Sequence, residues 1–162
     1  MVTADEFKQV MRRWASTVTI VTTAADGVIY GLTATAFSSL SVNPPEVFVS
    51  INKQTRTYPL IVQGGVFCVN FLAEEMVPIS DRFAGRRPDE ERFKDVRYRF
   101  EATGAPVLSD AIAYLDCTVA QALDAGDHTI FIGLVKAAGI QRPDETPLLY
   151  FNGRYHRLGE TV

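Results

Sequence analysis

The sequence predicts a mainly β fold, a barrel or sandwich of about six to eight strands with a few peripheral helices. Short segments in which apolar and polar residues alternate recur along the chain, and this alternation is the period of a half-buried strand. Turn-forming sequences such as Asp26-Gly27 and Asn43-Pro44-Pro45 separate these segments. Helical patterns are few, so a parallel α/β sheet is not indicated. The 162 residues suffice for a sizeable core, and we predict a single domain over residues 1–162.

The N-terminal half of the chain begins with a helical pattern and continues with strand patterns. Thr3 and Glu6 form a capping box, and apolar residues follow at helical spacing as far as Trp14. Pro44 and Pro45 end a strand, because proline cannot donate to a strand ladder. The predicted elements are a helix over residues 4–14 and strands over residues 16–24, 28–42 and 47–51.

The second half contains two further helical patterns and four further strand patterns. Thr57 is predicted to cap a short helix that Gly64 and Gly65 end. Residues 84–106 have weak periodicity and are expected to be the least structured. Within them, residues 86–92 carry both signs of charge and are expected to form a solvated loop with its own ion pairs. The predicted elements are helices over residues 58–62 and 74–83 and strands over residues 66–72, 112–123, 129–140 and 148–157.

The composition restricts the kinds of partner and compartment. The net charge is −3, which gives no electrostatic footprint for nucleic acid or for an anionic membrane surface, so we expect neither as a partner. No apolar segment approaches the roughly 20 residues of a membrane span, and residues 1–6 do not resemble a signal peptide. Cys68 and Cys117 lie far apart in apolar strand patterns and are expected to be buried free thiols. With only two histidines, no zinc spacing exists, and we expect no metal and a cytoplasmic location.

Several kinds of catalytic site are poorly supported. Neither histidine lies near a Gly-x-Ser-x-Gly sequence, and paired carboxylates occur only in charged, solvated stretches. The chain also lacks Gly-x-Gly-x-x-Gly and the Walker pattern. Strands and loops would therefore have to hold any nucleotide cofactor.

Residues 31–59 are the segment that most favours a bound ligand. If residues 28–42 form one strand, the even positions, including Leu40 and Val42, form an apolar core face, and the odd positions form a row of hydroxyls with one aromatic ring. Residues 52–57 then add a lysine and an arginine. Hydroxyls and cations together suit a phosphorylated ligand, and small alanines let a flat ring approach the backbone. The alternative is an ordinary solvent-exposed strand face, which is common for threonine and serine.

Four segments together resemble a known family. These segments are Trp14-Ala-Ser-Thr-Val-Thr-Ile-Val-Thr-Thr23, the sequence over residues 31–59, Gly126-Asp-His-Thr-Ile-Phe-Ile-Gly133, and Pro147-Leu-Leu-Tyr-Phe-Asn-Gly-Arg-Tyr155. Their order and spacing resemble the short flavin reductases, the reductase components of two-component flavin-dependent monooxygenases. The resemblance extends over roughly residues 7 to 158 and implies the FMN-binding split β-barrel, a Greek-key-like fold whose last strands form a hairpin.

The resemblance implies a flavin site with three parts. The isoalloxazine and ribityl chain would be lined by Thr33, Ala34, Thr35 and Ala36. The wall of that site would be completed by Ser39, Ser50, Asn52 and Lys53. The phosphate would be bound by Thr55, Arg56 and Thr57 at the start of the short helix, where free N–H groups favour an anion.

The resemblance also implies a nicotinamide side. His128, within Gly126-Asp127-His128, would be the catalytic residue that contacts the nicotinamide nucleotide, and Asp127 would orient its imidazole or act only as a turn residue. Phe83 and Tyr155 would lie beside the ring, although an aromatic residue in a small barrel is more often part of the core. Arg82 resembles a cofactor-binding arginine that the family carries on the helix at this position. His156 matches no family position and is expected at the surface.

The implied function is an NAD(P)H:flavin oxidoreductase that reduces FMN or FAD and supplies reduced flavin to a separate monooxygenase. The lack of an evident arginine pair for a 2′-phosphate favours NADH, with NADPH as the alternative. A homodimer is expected. Two other functions remain open: a flavin storage or sensor protein of the same fold, and a pyridoxamine-phosphate-oxidase-like protein acting on a different cofactor.

Overall fold

The computed structural model describes residues 1–88 and 91–162 and is built mainly of antiparallel strands. The three α-helices are α1 (Ala4–Met11), α2 (Thr57–Gly64) and α3 (Val77–Phe83). The first six strands are β1 (Ser16–Thr17), β2 (Thr19–Ala25), β3 (Val28–Ala34), β4 (Phe37–Val42), β5 (Pro45–Asn52) and β6 (Val66–Phe71). The others are β7 (Tyr98–Phe100), β8 (Pro106–Leu108), β9 (Ala113–Ala125), β10 (His128–Ile140), β11 (Leu149–Phe151) and β12 (Arg154–His156). The mainly β prediction is confirmed.

One seven-stranded sheet organises the molecule, with the strand order β3-β2-β6-β9-β10-β5-β4. Its central β9–β10 hairpin is the longest strand pair, and β5 continues the pairing from the other side of β10. Two small sheets, β1-β11-β12 and β7-β8, lie outside it. The sheet order places the end of β5 beside the start of β10, because Asn52 pairs with His128.

Two apolar clusters form most of the core. One contains Val49, Ile51, Phe67 and Phe131 on the inner face of the seven-stranded sheet, with Ile61 of α2 packed against it. The other joins α3 to β2, β8 and the residue before β11 and includes fully buried Phe83. Burial of apolar side chains favours folding by roughly 1.5–3 kcal/mol each, so α2 and α3 are fixed mainly by packing.

The helices differ from their predicted bounds. The Thr3–Glu6 capping box of α1 is present as predicted, but α1 ends at Met11 rather than residue 14. The helix predicted over residues 74–83 begins as a 3₁₀ turn at Glu74–Met76 and becomes α-helical only from Val77. Pro78 explains this boundary, since proline lacks an N–H and is best accommodated in the first turn of an α-helix.

Three predicted strands are divided. The strand predicted over residues 16–24 breaks at Val18 into β1 and β2, which belong to different sheets. The strand predicted over residues 28–42 breaks at Thr35 and Ala36, where the N–H of Phe37 donates to the carbonyl of Thr35 at 3.0 Å. The expected apolar core face fails beyond the break, because Leu40 is 51% and Val42 92% exposed. The segment over residues 148–157 forms the hairpin of β11 and β12 rather than one strand. Its turn contains Asn152 with a positive φ, followed by a glycine.

Both cysteines are free and buried, as predicted. Burial raises the pKa of both thiols, that of Cys117 to about 12, and the nearby charge of Asp116 raises them further. An unfolded thiol has a pKa of about 8.5, so between pH ~8.5 and ~12 the unfolded chain loses protons that the folded chain retains. The free energy of unfolding should therefore fall as pH rises through this range.

We expect neither thiol to react with a thiol-specific reagent at about pH 8 in the native protein, and both to react in denaturant, because the thiolate is the reactive form. Counting the modified thiols by mass spectrometry tests this. Rapid labelling of native Cys68 or Cys117 would contradict it.

Within the described residues, no helix is long and apolar enough to cross a bilayer.

Candidate functional site

The break between β3 and β4 exposes Thr35 and Ala36 at the edge of the large sheet. It is held against β5, because the N–H of Ser50 donates to the carbonyl of Ala36 at 3.0 Å. On the other side, the Thr33 hydroxyl donates to the carbonyl of Ser80 in α3 at 2.6 Å. Of the predicted lining residues, Thr33, Ala34, Thr35 and Ala36 thus lie on one short piece of backbone, and Ser50 of β5 lies beside it.

A cavity of about 650 Å³ opens beside this break. Thr35 and Ala36 line it together with the aromatic side chains of Trp14, Phe48 and Tyr150. Ser38 also lines it, whereas the predicted Ser39 lies in β4 opposite Val47 and is exposed. We name this space the aromatic cavity. Its size and its aromatic walls are those of a pocket for a planar small molecule.

The segment after β5 forms a compact turn that leads directly into α2. The Asn52 side-chain oxygen accepts from the Gln54 N–H at 2.8 Å, and the Thr55 hydroxyl donates to the Asn52 carbonyl at 2.8 Å. Arg56 follows as the N-cap residue of α2, without a side-chain cap. This turn therefore presents Arg56 at a helix N-terminus, where unpaired N–H groups and the helix dipole attract anions.

Thr57 was predicted to cap this helix, and that prediction is wrong. The helix starts one residue earlier than predicted, so Thr57 is its first helical residue and is fully buried. Its Oγ1 has no hydrogen-bond partner among the described residues. A buried polar atom without a partner costs about 1–3 kcal/mol, so it calls for an explanation at this position.

Lys53 connects the turn after β5 to the turn between β9 and β10. Its ammonium donates to the carbonyl of Gly126 at 2.7 Å and forms an ion pair with Asp124. Its own N–H donates to the carbonyl of Asp127 at 3.0 Å. The predicted residues Asn52 and Lys53 are therefore joined to the predicted residues Gly126, Asp127 and His128. Lys53 supports this corner, since its charge is already paired with Asp124.

His128 lies at the start of β10, half-buried, with one ring nitrogen held. Its Nδ1 lies 2.7 Å from an Asp127 carboxylate oxygen, and Asp127 itself is exposed. The hydrogen bond with His128 lowers the pKa of Asp127, and the charge of His128 acts in the same direction. Asp127 thus fixes the orientation of the imidazole. The Nε2 edge is left for another partner.

A second, basic cavity lies by β3 and the start of α2. Its volume is about 440 Å³, and its walls include Tyr30, Arg56, Arg82 and Arg92. The guanidinium carbon of Arg92 lies 4.5 Å from the Tyr30 ring centroid, and that of Arg56 lies 5.8 Å from it. Arg92 also donates to the carbonyl of Gly31. We name this space the basic cavity.

The solvated loop predicted over residues 86–92 is confirmed only in part: Arg86, Arg87, Pro88 and Glu91 are exposed, but two of the arginines make contacts outside the loop. Arg92 is half-buried against Tyr30, and Arg86 pairs outside the loop, with Asp81 of α3 at 2.9 Å. Stacking on an aromatic ring holds an arginine side chain in place, whereas solvation in a loop does not. Asp89 and Glu90, which belonged to the predicted loop, lie outside the described residues.

The other predicted ring-side residues take different positions. Phe83 has no exposed surface and packs edge-on against Phe93, so it is a core residue and not a ligand contact. Tyr155 donates to the Asp81 carboxylate at 2.7 Å and is 2.9 Å from the Ser80 hydroxyl. Burial raises the pKa of Tyr155. Tyr155 packs behind Tyr150 of the aromatic cavity, with ring centroids 5.5 Å apart.

Arg82 lines the basic cavity, and one of its guanidinium nitrogens donates to the carbonyl of Lys94 at 2.6 Å. His156 is exposed, as predicted. Among the described residues, no group of three or more His, Cys, Asp or Glu side chains is placed to hold a metal ion.

Sequence reasoning did not identify Tyr30, Arg92, Trp14 or Phe48 as site residues. Tyr30 lies three positions before Thr33 in the same strand, so its closeness to a predicted site residue could have identified it. Phe48 alternates with core residues Val47 and Val49, which places it on the opposite face of β5. Nothing in the local sequence of Arg92 identifies its partner, because Tyr30 is some 60 residues away.

Comparison with known proteins gives a consistent result. The family described as "Flavin reductase like domain" matches residues 11–159. A flavin reductase (NADH) of Kitasatospora aureofaciens is 42% identical over 160 residues, covering 97% of this chain and 83% of the relative. The reductase subunit HsaB of a flavin-dependent monooxygenase of Rhodococcus jostii is 36% identical, covering 92% and 75%. The FMN reductase (NADH) RutF of Agrobacterium fabrum is 39% identical, covering 94% and 87%.

Solved structures agree with these relatives. Flavin reductase PheA2 in its native state superposes with a TM-score of 0.90 at 37% identity, covering 98% of this chain and 100% of that one. Flavin reductase HpaC complexed with NADP⁺ gives 0.88 at 34%, covering 96% and 98%. The NADH:FAD oxidoreductase SgcE6 of Streptomyces globisporus, in complex with NAD and FAD fragments, gives 0.88 at 28%, covering 98% and 96%.

Proposed function

This chain belongs to the flavin reductase-like domain family, and from that membership we propose that it binds flavin across the β3–β4 break, between the basic and the aromatic cavities. The relatives also indicate which reaction the chain catalyses. The chain is an NADH:flavin reductase of the kind that serves as the reductase component of two-component monooxygenases. The predicted split-barrel fold is confirmed by the superposition on flavin reductase structures.

The proposed location of the flavin phosphate rests on one observation. Arg56 precedes α2 with its charge unpaired by any described carboxylate, and the next side chain is the buried, unpartnered hydroxyl of Thr57. A phosphate group binds to an arginine and to the free N–H groups of a helix N-terminus, and the Thr57 hydroxyl lies one residue further along the helix. These residues fit the phosphate end of a flavin nucleotide.

The opposite end of the proposed site fits a flat aromatic ring. From Tyr30 in the basic cavity to Thr35 at the break, the chain advances five residues, or about 16 Å along a strand. That is about the length of an extended flavin mononucleotide. The hydroxyl of Thr33 and the small side chain of Ala34 lie between the two ends, and Ala36 lines the aromatic cavity.

The protein has little chemistry of its own to perform. A bound flavin would supply the hydride-accepting chemistry, and the chain would hold it along Thr33–Ala36, leave one face open and admit the nicotinamide nucleotide. We assign the nicotinamide contact to His128, whose imidazole Asp127 holds in one orientation. Lys53 supports this corner by binding the carbonyl of Gly126, so the two halves of the site are joined through β5 and β10.

We also propose that the protein prefers FMN to FAD. Arg56 and Arg92 converge on one ring, which suits a single terminal phosphate and so favours FMN. NADH is proposed as the reductant, since the relatives named for their reductant use NADH. We place the enzyme in the cytoplasm, where free thiols such as Cys68 and Cys117 are the rule.

Turnover separates a reductase from a flavin storage or sensor protein. We would mix the protein with a large excess of FMN and NADH without oxygen and follow the yellow absorbance of oxidised flavin. A reductase bleaches many equivalents of flavin per chain. Bleaching of no more than one equivalent per chain would leave the storage or sensor function as the correct one.

His128→Ala is expected to raise the KM for NADH by about two- to tenfold, the effect of one lost hydrogen bond, while flavin affinity stays within about twofold. Steady-state kinetics with each substrate varied separately measures both quantities. The matched control is His156→Ala, which removes an exposed imidazole that lines neither cavity and should change neither quantity. A loss of flavin affinity in His128→Ala with an unchanged KM for NADH would assign His128 to the flavin side.

We further propose a homodimer. None of the eight residues of α1, all of them described, is buried, and its apolar side chains Phe7, Val10 and Met11 are exposed together with Trp14. On β4, Val42 is 92% exposed. So much apolar surface is typical of an interface between chains.

Sedimentation is expected to give twice the chain mass of 17.9 kDa at micromolar concentration, and Val42→Asp should shift the protein towards the monomer. A monomer of the unmodified protein that binds flavin normally would contradict the dimer.

A further inference from the structure

Two guanidinium groups from distant parts of the chain meet at the ring of Tyr30. Arg92 and Arg56 lie with their guanidinium carbons 4.5 and 5.8 Å from its centroid. Within residues 1–88 and 91–162, neither forms a salt bridge with a carboxylate. The pKa of Arg92 is lowered, chiefly by burial, and the charge of Arg56 lowers it further. An anion bound beside both groups would replace this repulsion with attraction.

Arg92 is held in a fixed position and still has donors to spare. It donates to the carbonyl of Gly31, the residue next to Tyr30 in β3. A guanidinium carries five N–H donors in a planar fork, so this contact and the stacking on Tyr30 leave most of them available. Such a fork matches two oxygens of one phosphate group. The preorganised side chain loses little freedom when it binds.

We propose that Arg92 is a second phosphate-binding residue of the flavin site, opposite Arg56, and that this arginine pair makes the enzyme select phosphorylated flavins over riboflavin. The inference rests on the proposed function, in which Arg56 contacts the flavin phosphate. The two arginines and Tyr30 line the same basic cavity, and the unpartnered hydroxyl of Thr57 adjoins Arg56 in sequence. Arg92 thus joins the segment that follows it to β3 and to the site.

The test compares the affinities of FMN, FAD and riboflavin for the unmodified protein and for Arg92→Ala, Arg92→Met and Arg92→Lys. Arg92→Ala and Arg92→Met should each weaken FMN and FAD binding by about tenfold or more, with riboflavin within about twofold. Arg92→Met keeps a long stem against Tyr30, so it separates the charge from the packing. Arg92→Lys should recover only part of the loss, because an ammonium lacks the fork. Arg97→Ala, which removes an exposed, Asp110-paired arginine of the same segment, is the control and should bind FMN normally.

Three results would overturn the inference. Unchanged FMN affinity in Arg92→Met would remove Arg92 from the site. Equal losses for FMN and riboflavin would show that Arg92 only supports the fold around Gly31. A raised KM for NADH with unchanged flavin affinity would assign the phosphate to the nicotinamide nucleotide. Failure of these binding predictions would leave the reductase function standing, because the bleaching experiment tests that function separately on the unmodified protein.

Discussion

Arg56→Ala is expected to weaken FMN binding by about tenfold or more, because a hydrogen bond to a charged group contributes roughly 1.5–3 kcal/mol. The loss should appear in the dissociation constant, while the rate at saturating FMN changes little, since Arg56 lies at the phosphate end and not at the reacting ring. Fluorescence titration of FMN measures the affinity.

The ligand and the variant each have a matched control. Riboflavin lacks the phosphate and should bind Arg56→Ala and the unmodified protein alike. Arg157→Ala removes an exposed arginine that is 3.6 Å from Glu74 at the far end of the chain, and it should leave FMN affinity unchanged. Unchanged FMN affinity in Arg56→Ala would exclude Arg56 from the site.

Gly64→Ala is expected to destabilise the protein by about 1–3 kcal/mol and to weaken flavin binding as well. A Cβ on Gly64 would lie 2.0 Å from the backbone carbonyl oxygen of Ala24 in β2. A backbone oxygen cannot rotate away as a side chain can, so α2 would have to move off the sheet. Alanine favours a helix over glycine by only about 1 kcal/mol, and the clash outweighs this gain. Because α2 carries Arg56 and Thr57 at its start, its displacement should reach the phosphate end.

Urea unfolding measures the stability of Gly64→Ala, and FMN titration measures the affinity. The matched control is Gly65→Asn at the adjacent position, where φ is +64° and nothing lies within 4 Å of an added Cβ. Asparagine tolerates this left-handed conformation, so Gly65→Asn should cost little. A Gly64→Ala protein of normal stability would show that α2 is not held close to β2 by this glycine.

The sequence was informative where the chemistry is local. The turn after β5 and the Asp127–His128 contact both lie in short segments whose residue types indicate their partners. The break at Thr35 could not be predicted, because the alternation of apolar and polar residues continues through it. Leu40 and Val42 are apolar in the same alternation, but alternation does not reveal whether another chain covers that face.

Contacts between distant segments could not be predicted from the sequence. Arg92 lies in a stretch of mixed charge, where a solvated loop is the usual outcome, and only the fold brings it to Tyr30. Thr57 and Arg56 are adjacent at a helix start, and a shift of one residue in that start changes a capping hydroxyl into a buried one. Phe83 matches a ring-side position, yet the packing of α3 against β3 encloses it in the core.

The most direct measurement of the central claim is a crystal structure of the protein with FMN bound. We predict that the phosphate lies within hydrogen-bond distance of Arg56 at the start of α2. We also predict that the isoalloxazine lies along Thr33–Ala36, with one face open towards His128. FMN bound with its phosphate away from Arg56, or with its ring away from the β3–β4 break, would contradict the proposed site.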